Sequence, residues 1–233
     1  MKTFDIGNWH GKLLFTPGYY EELYSYVKNE DARQEYSKSI SVYNAEGDKT
    51  SLFNYENETI KQTYLQQLDR AMLDYSNMMI LTLSSYIEII IQDFFESFFD
   101  SQPETMYEYL PNLNNDKMKG YVDLETILNT NNYDELKSIL SVRAATNANK
   151  GTFKSIMKRL EKLSKHEFNE TLIVELDNLV HRRNKIVHED RTFEIDQTII
   201  KNVVENVLNL LRELGKICKS KNIPLYDGGG LLP

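Results

Sequence analysis

The stretch SSYIEIIIQDFFESFF, residues 84–99, decides the fold of this chain. From about residue 58 to residue 99 there is no proline and no glycine. Apolar residues recur there every three or four positions, which is the period of an amphipathic α-helix. Within residues 84–99 the apolar residues cover more than one side of the predicted helix. This part of the helix is therefore predicted to lie at the centre of the protein or against a second chain.

Helical periods continue on both sides of this segment. Pro103 ends the long helix, and LPNLNNDKMKG, residues 110–120, is predicted to be a loop. Short helices are predicted in residues 121–130 and 133–142, and longer ones in residues 149–165, 169–189 and 193–221. Upstream, Thr16 and Pro17 indicate a helix start. Two short β-branched and aromatic segments around AEGDK, residues 45–49, are compatible with a small β-hairpin. The pattern predicts an all-α, single-domain protein.

Charge and cysteine content limit the function classes. The formal charge of −8 argues against a protein that coats nucleic acid without selectivity. The one cysteine, Cys218, cannot form an intrachain disulfide, which favours a reducing compartment. No signal peptide is recognisable, and Glu88 interrupts the most apolar run before it reaches the length of a membrane span. We therefore expect a cytoplasmic protein that does not bind membranes.

One region carries most of the positive charge. Residues 137–165 contain eight basic residues and one acidic residue. Four lysines recur there every four positions beside an apolar stripe: Lys150, Lys154, Lys158 and Lys162. Such a face is usually solvated, but it could also form a track for RNA phosphates. The local excess of positive charge in an acidic protein favours the second interpretation.

Near the C-terminus the chain reads HRRNKIVHED, residues 181–190, inside a predicted helix. With Arg183 at 0° on a helical wheel, Asn184 falls at about 100° and His188 at about 140°. Val187 falls between them, at about 40°. Three polar side chains thus border a surface that also carries apolar residues. Polar groups in such a place need partners, which makes the segment a candidate site.

The segment RNKIVH, residues 183–188, resembles the signature of HEPN-domain ribonucleases, in which an arginine is followed by four to six residues and a histidine. A polar residue commonly follows that arginine, as Asn184 does here. The motif closes the penultimate long helix, as in the family, and Glu88 in SSYIE resembles a polar position on the partner helix. The resemblance covers roughly residues 58–221. It implies an HEPN-like helical bundle, a metal-independent endoribonuclease without cofactors, and a two-fold homodimer with a composite active site.

The resemblance also implies roles for these residues. His188 would act as general base or acid, since histidine exchanges protons near neutral pH. Arg183 would hold the scissile phosphate, and Asn184 would orient His188 or a phosphate oxygen. Glu88 would support Arg183 as an ion-pair partner across helices. Arg182 points away from the motif, at about −100°, and could contact RNA together with the four lysines.

The expected partners are a second copy, an RNA substrate with tRNA as the first candidate, and an antitoxin or defence-complex protein. HEPN toxins silenced by nucleotidyltransferase antitoxins often carry a tyrosine two residues after the histidine, where this chain has Asp190. Control by modification at that position is therefore not expected. The alternatives are a catalytically inactive RNA- or protein-binding module and a structural dimerisation domain. The expected organisation is an N-terminal extension packed on the bundle (1–55), the helical domain (56–221) and a flexible tail (222–233).

Overall fold

The computed structural model describes residues 1–43, 46–110, 122–228 and 230–232. It is all-α, as predicted, with two small strand pairs. Its α-helices are α1 (Ile6–Lys28), α2 (Glu30–Ser39), α3 (Glu58–Ser101), α4 (Leu124–Leu128), α5 (Tyr133–Ala148), α6 (Phe153–Ser164), α7 (Glu170–Glu189) and α8 (Gln197–Lys221). The strands are β1 (Phe4–Asp5), β2 (Ser41–Tyr43), β3 (Lys49–Ser51) and β4 (Leu225–Tyr226), and short 3-10 turns occupy Leu52–Asn54 and Pro103–Glu108. Most of the loop predicted at 110–120 lies outside the described residues.

Helix α3 is the central element because it packs against α1, α5, α7 and α8. Ile80, Leu83 and Ile87 are completely buried, and the rings of Phe95 and Phe99 stack with centroids 5.9 Å apart. The predictions of one long helix from about residue 58 and of a largely buried segment over residues 84–99 are both confirmed. Each remaining long helix lays its apolar face against α3 or a neighbour, which produces one continuous hydrophobic core.

By length and composition α3 could cross a membrane, since its most apolar 18-residue window has a mean hydropathy of 1.4. Half of that window is buried inside the protein. The core helix of a soluble protein has the same property, because its apolar residues face other helices instead of lipid.

The first helix begins earlier than the sequence suggested. Asp5 caps α1 by accepting a hydrogen bond from the Asn8 N–H at 2.9 Å, and the helix continues through Pro17 without ending. The prediction of a start at Thr16 and Pro17 is therefore wrong. Trp9 and Tyr20 are buried against α3 and α8, and this packing holds the helix together across the proline, which lacks a backbone N–H.

The small hairpin is present. Strands β2 and β3 pair antiparallel, with Val42 opposite Thr50. Val42 is the one buried residue of β2, and strand β3 contacts α2. Among the N-terminal elements, α1 packs on α3 and α8, α2 packs on α3, and the hairpin packs on α2.

The C-terminal segment is packed where the sequence predicted flexibility. Strand β4 pairs in parallel with β1. Both Leu231 and Leu232 are buried, and their backbone N–H groups donate to the carboxylate of Asp227 at 3.0 Å each. The glycines suggested a frayed end. Burial of the two leucines that follow them, however, stabilises the folded tail by more than the loss of conformational entropy destabilises it. Residues 229 and 233 of this segment lie outside the described part of the chain.

Candidate functional site

The candidate motif lies on α7, whose ends are both defined by local chemistry. Asn169 caps the start by accepting hydrogen bonds from the N–H groups of Thr171 and Leu172, at 2.8 and 3.3 Å. Asp190 ends the helix in the left-handed conformation, with φ of 50°, and its N–H donates to the Lys185 carbonyl. The predicted helix over residues 169–189, with Asn169 as its cap, is confirmed.

The buried side of α7 does not extend to its last turns. Leu172, Leu176 and Leu179 are buried in the core. In the last two turns Asn184 and His188 are exposed and Arg183 is half-buried. The motif therefore lies on an open surface at the C-terminal end of the helix, where a second molecule could reach it.

Two of the three motif side chains are joined by a hydrogen bond. The Arg183 Nη1–H donates to Asn184 Oδ1 at 2.9 Å. The partner of Asn184 within the protein is thus Arg183, whereas the sequence suggested that Asn184 orients His188 or a phosphate oxygen; that role stays a prediction. Within the part of the chain that the structure describes, the His188 ring makes no hydrogen bond to another residue. Its nitrogens are available to a substrate or to a second copy.

The structure does not bring Glu88 to the motif as predicted. Glu88 is exposed on α3, and its backbone carbonyl accepts a hydrogen bond from Asn149 Nδ2 at 3.2 Å. No ion pair joins Glu88 to Arg183 among the described side chains. The backbone of Glu88 lies beside Asn149, which follows α5, because the register of α3 is set by its apolar residues and not by this carboxylate.

The lysine face of α6 has the predicted geometry. Phe153, Ile156, Met157 and Leu160 form its buried stripe, while the four lysines are exposed: Lys150, Lys154, Lys158 and Lys162. Lys150 precedes the helix and donates to Asn147 Oδ1 at 2.8 Å. The prediction that these lysines lie together on the solvent side is therefore correct. Their contact with RNA stays a prediction.

Carboxylates neutralise part of this lysine face. The Lys154 Nζ lies 3.2 Å from Asp177 Oδ2, and Lys162 forms an ion pair with Glu108. The hydrogen bond and charge of Glu108 raise the pKa of Lys162. Lys158 forms no ion pair with any residue in the described ranges. Lys150 and Lys158 are thus the better candidates for contact with a phosphate.

Arg182 has an intramolecular partner that the sequence did not reveal. Its guanidinium lies over the ring of Phe193, 5.7 Å from the centroid, which is within the range of a cation–π contact. The backbone of Phe193 is in turn hydrogen-bonded to Asn77 on α3. Sequence reasoning missed Asn77 and Phe193. A lone asparagine on a buried helix face was the available signal, but its partner lies 116 positions away.

No group of three or more His, Cys, Asp or Glu side chains suited to a metal ion occurs within the described ranges. The free thiol of Cys218 is buried on α8, and this burial raises its pKa to about 12. A thiol in that state is a structural residue and not a nucleophile.

A comparison with protein families matches residues 46–220 to the family model described as RiboL-PSP-HEPN. No curated protein and no solved structure matches the chain. The matched region begins in the hairpin and ends in α8, so it contains α3, the lysine face and the entire motif helix. It covers about three quarters of the chain and agrees with the helical fold. On this evidence the chain belongs to the RiboL-PSP-HEPN family.

Proposed function

We propose that this protein is a metal-independent endoribonuclease of the HEPN type. It acts as a homodimer with a composite active site, in the cytoplasm, in a toxin–antitoxin or antiviral defence setting. The observation that carries the proposal is the pairing of Arg183 with Asn184 on the open end of α7, with His188 one turn further along. HEPN domains act as nucleases or as RNA-binding modules, and this surface suits the chemistry of the former.

RNA can be cut without a metal when its own 2′-hydroxyl attacks the adjacent phosphorus. A base removes the 2′-OH proton, a cation stabilises the charge on the pentacoordinate phosphorus, and an acid donates a proton to the departing 5′-oxygen. His188 suits the proton transfers because imidazole gains and loses protons near neutral pH. Arg183 suits the charge because its planar fork matches two phosphate oxygens.

Asn184 improves Arg183 for this task. The hydrogen bond at 2.9 Å uses one of the five guanidinium N–H donors and leaves the others for phosphate. It also restricts the rotation of a long side chain, so that less conformational entropy is lost when the phosphate binds. We therefore assign Asn184 a role in fixing Arg183 before the substrate arrives.

A second copy would complete the site. One histidine cannot act as base and acid in the same step, whereas two motif helices facing each other supply two imidazoles and two guanidinium groups. The angular position of Val187 between Arg183 and Asn184 supports this arrangement. Val187 is 50% exposed, and an apolar side chain inside a polar motif gains stability when a partner covers it.

The substrate is an RNA strand, and tRNA is the first candidate for the assay. Among the four lysines of the α6 face, Lys150 and Lys158 form no ion pair with a described residue, so they are the first candidates for contact with phosphates. An antitoxin or defence-complex protein that covers the open end of α7 would inhibit cleavage.

The second candidate function is a catalytically inactive RNA- or protein-binding module of a defence complex. It is favoured by the absence of any Glu88–Arg183 pair from the described residues and by the neutralisation of Lys154 and Lys162. Such a module would bind its partner at the same surface but would leave RNA intact.

The deciding experiment is incubation of the purified protein with total RNA in excess chelator. Arg183→Ala and His188→Ala are compared with His181→Ala, an exposed histidine two turns earlier on the same helix. We expect cleavage by the wild type and by His181→Ala, and a loss of about 100-fold or more in the other two variants. Intact RNA with all proteins, or cleavage by His188→Ala, would refute the nuclease. Light scattering tests the homodimer, because a monomer that cleaves RNA would exclude the composite site.

A further inference from the structure

Asn77 is a buried polar residue in the apolar middle of α3, with 5% of its surface exposed. Both ends of its amide are occupied. Its Nδ2–H donates to the carbonyl oxygens of Leu73 and Phe193, each at 2.9 Å, and its Oδ1 accepts from the Phe193 N–H at 3.0 Å. One side chain thus satisfies both backbone groups of Phe193. A small shift of the Phe193 backbone relative to α3 would therefore break both of its hydrogen bonds to Asn77.

Phe193 is the middle anchor of the segment that joins α7 to α8. The segment begins at Asp190, whose left-handed conformation ends α7, and finishes at Asp196, which caps α8 by accepting from the Ile199 N–H at 2.8 Å. Between them the Phe193 ring packs on the core, and Ile195 is buried. Asn77 therefore fixes the middle of this short segment to α3, four residues beyond the end of α7.

A second contact leads from Phe193 back to the motif. The guanidinium of Arg182 lies over the Phe193 ring, and Arg182 directly precedes Arg183. On the helical wheel it lies about 100° from Arg183, towards the segment that Asn77 holds. The last turns of α7 thus have one side fixed to α3 through Phe193, while the side with Asn184 and His188 stays open.

We propose that Asn77 is a positioning residue for Arg183 and His188, acting through Phe193 and Arg182. This inference rests on the proposed ribonuclease function. A site shared between two copies needs each motif helix in a fixed orientation, because errors from both copies combine at the shared phosphate. A misplacement of about 1 Å can reduce turnover roughly 100-fold.

The main test replaces Asn77 by alanine, with Ser76→Ala as the matched control. Ser76 is the buried neighbour of Asn77 on α3 and is hydrogen-bonded to the Tyr20 hydroxyl at 3.0 Å, so its loss weakens the core but leaves both Asn77–Phe193 hydrogen bonds in place. At a temperature where both variants are folded, we expect Asn77→Ala to lower kcat by about 10-fold to 100-fold with KM unchanged. Ser76→Ala should keep the wild-type kcat.

Two measurements do not depend on cleavage. Hydrogen exchange reports the Phe193 N–H that Asn77 protects, and NMR reports the ring resonances of His188. In Asn77→Ala we expect exchange at Phe193 at least about 10-fold faster and shifted His188 resonances, with neither change in Ser76→Ala. If the wild type does not cleave RNA, the ribonuclease proposal fails, and these two measurements still decide whether Asn77 positions the motif.

Arg182 provides a second route if Asn77→Ala does not fold. Arg182→Gln removes the cation from the Phe193 ring, whereas Arg182→Lys retains one. We expect Arg182→Gln to lower kcat at unchanged KM and Arg182→Lys to restore part of it. A raised KM with normal kcat would identify Arg182 as an RNA contact and would overturn its positioning role. Equal kcat losses in Asn77→Ala and Ser76→Ala, or unchanged His188 resonances, would overturn the proposal for Asn77.

Discussion

Replacing Asp69 by asparagine should loosen the attachment of the N-terminal helices to the family domain. Asp69 lies on α3, within the matched region, and both of its carboxylate oxygens accept hydrogen bonds at 3.0 Å from Arg33 on α2. Lys28 at the end of α1 donates to the same carboxylate at 2.9 Å. One side chain therefore holds two helices that precede the matched region.

The size of the effect follows from the pKa of Asp69. The hydrogen bonds from Arg33 first, and then the contact and charge of Lys28, lower that pKa from its ordinary 3.8 to about 2, against the opposing effect of burial. A change of that size corresponds to about 2.5 kcal/mol of stability, at about 1.36 kcal/mol for each pH unit. The side chain is 38% exposed, so solvent screening reduces the expected contribution to about 1 kcal/mol.

The pH dependence has a definite sign. The pKa is lower in the folded protein than in the unfolded chain, so the stabilisation is complete above about pH 4. It is lost as the pH falls through the folded value of about 2. Asp69→Asn should therefore be less stable than the wild type at pH 7, and this difference should shrink between about pH 4 and pH 2.

Urea unfolding followed by circular dichroism at pH 7, 5, 4 and 3 measures both the size and the pH dependence. Glu58→Gln is the control, since Glu58 pairs with Lys61 inside α3, is 71% exposed and connects no second helix. We expect a change of less than about 0.5 kcal/mol for Glu58→Gln at every pH. Equal losses in the two variants, or an Asp69→Asn deficit of the same size at pH 3 and pH 7, would refute the reasoning.

Three other predictions concern the core, the tail and the lysine face. Cys218 should not react with a thiol reagent at pH 8 until urea unfolds the protein, because burial keeps the thiol protonated; rapid labelling of the folded protein would contradict this. Gly215→Ala should lower Tm and expose the tail to proteolysis, because the new Cβ would lie 2.7 Å from the Leu232 side chain. The destabilisation by overpacking, about 1–3 kcal/mol, is expected to exceed the gain of roughly 1 kcal/mol from the higher helix propensity of alanine. An unchanged Tm would show that the tail adapts. Lys158→Gln should reduce the slope of log affinity for RNA against log salt concentration by about one. Lys154→Gln should reduce this slope by less, because Asp177 already neutralises Lys154. Equal slopes for the two variants would mean that the Lys154–Asp177 ion pair opens when RNA binds.

From residue 58 onward, the local pattern of the sequence determined the helices and the spacing of the motif. Apolar residues at steps of three and four, without glycine or proline, identified α3 from residue 58, and Asn169 identified the start of α7. The spacing of Arg183, Asn184 and His188 on that helix also followed from the sequence, because helix geometry is set by residues close together in the chain. These features needed no knowledge of which helices are neighbours.

Only the tertiary structure decided what these residues touch. Helix α1 continues through Pro17 because its apolar residues pack against other helices. The tail packs because its strand β4 pairs with β1. The partners of Lys154 and Phe193 lie far away in sequence, at Asp177 and Asn77. Such pairs form where the packing of apolar faces brings two polar groups together. The periodic pattern of apolar residues along the sequence does not indicate which distant residue will be the partner.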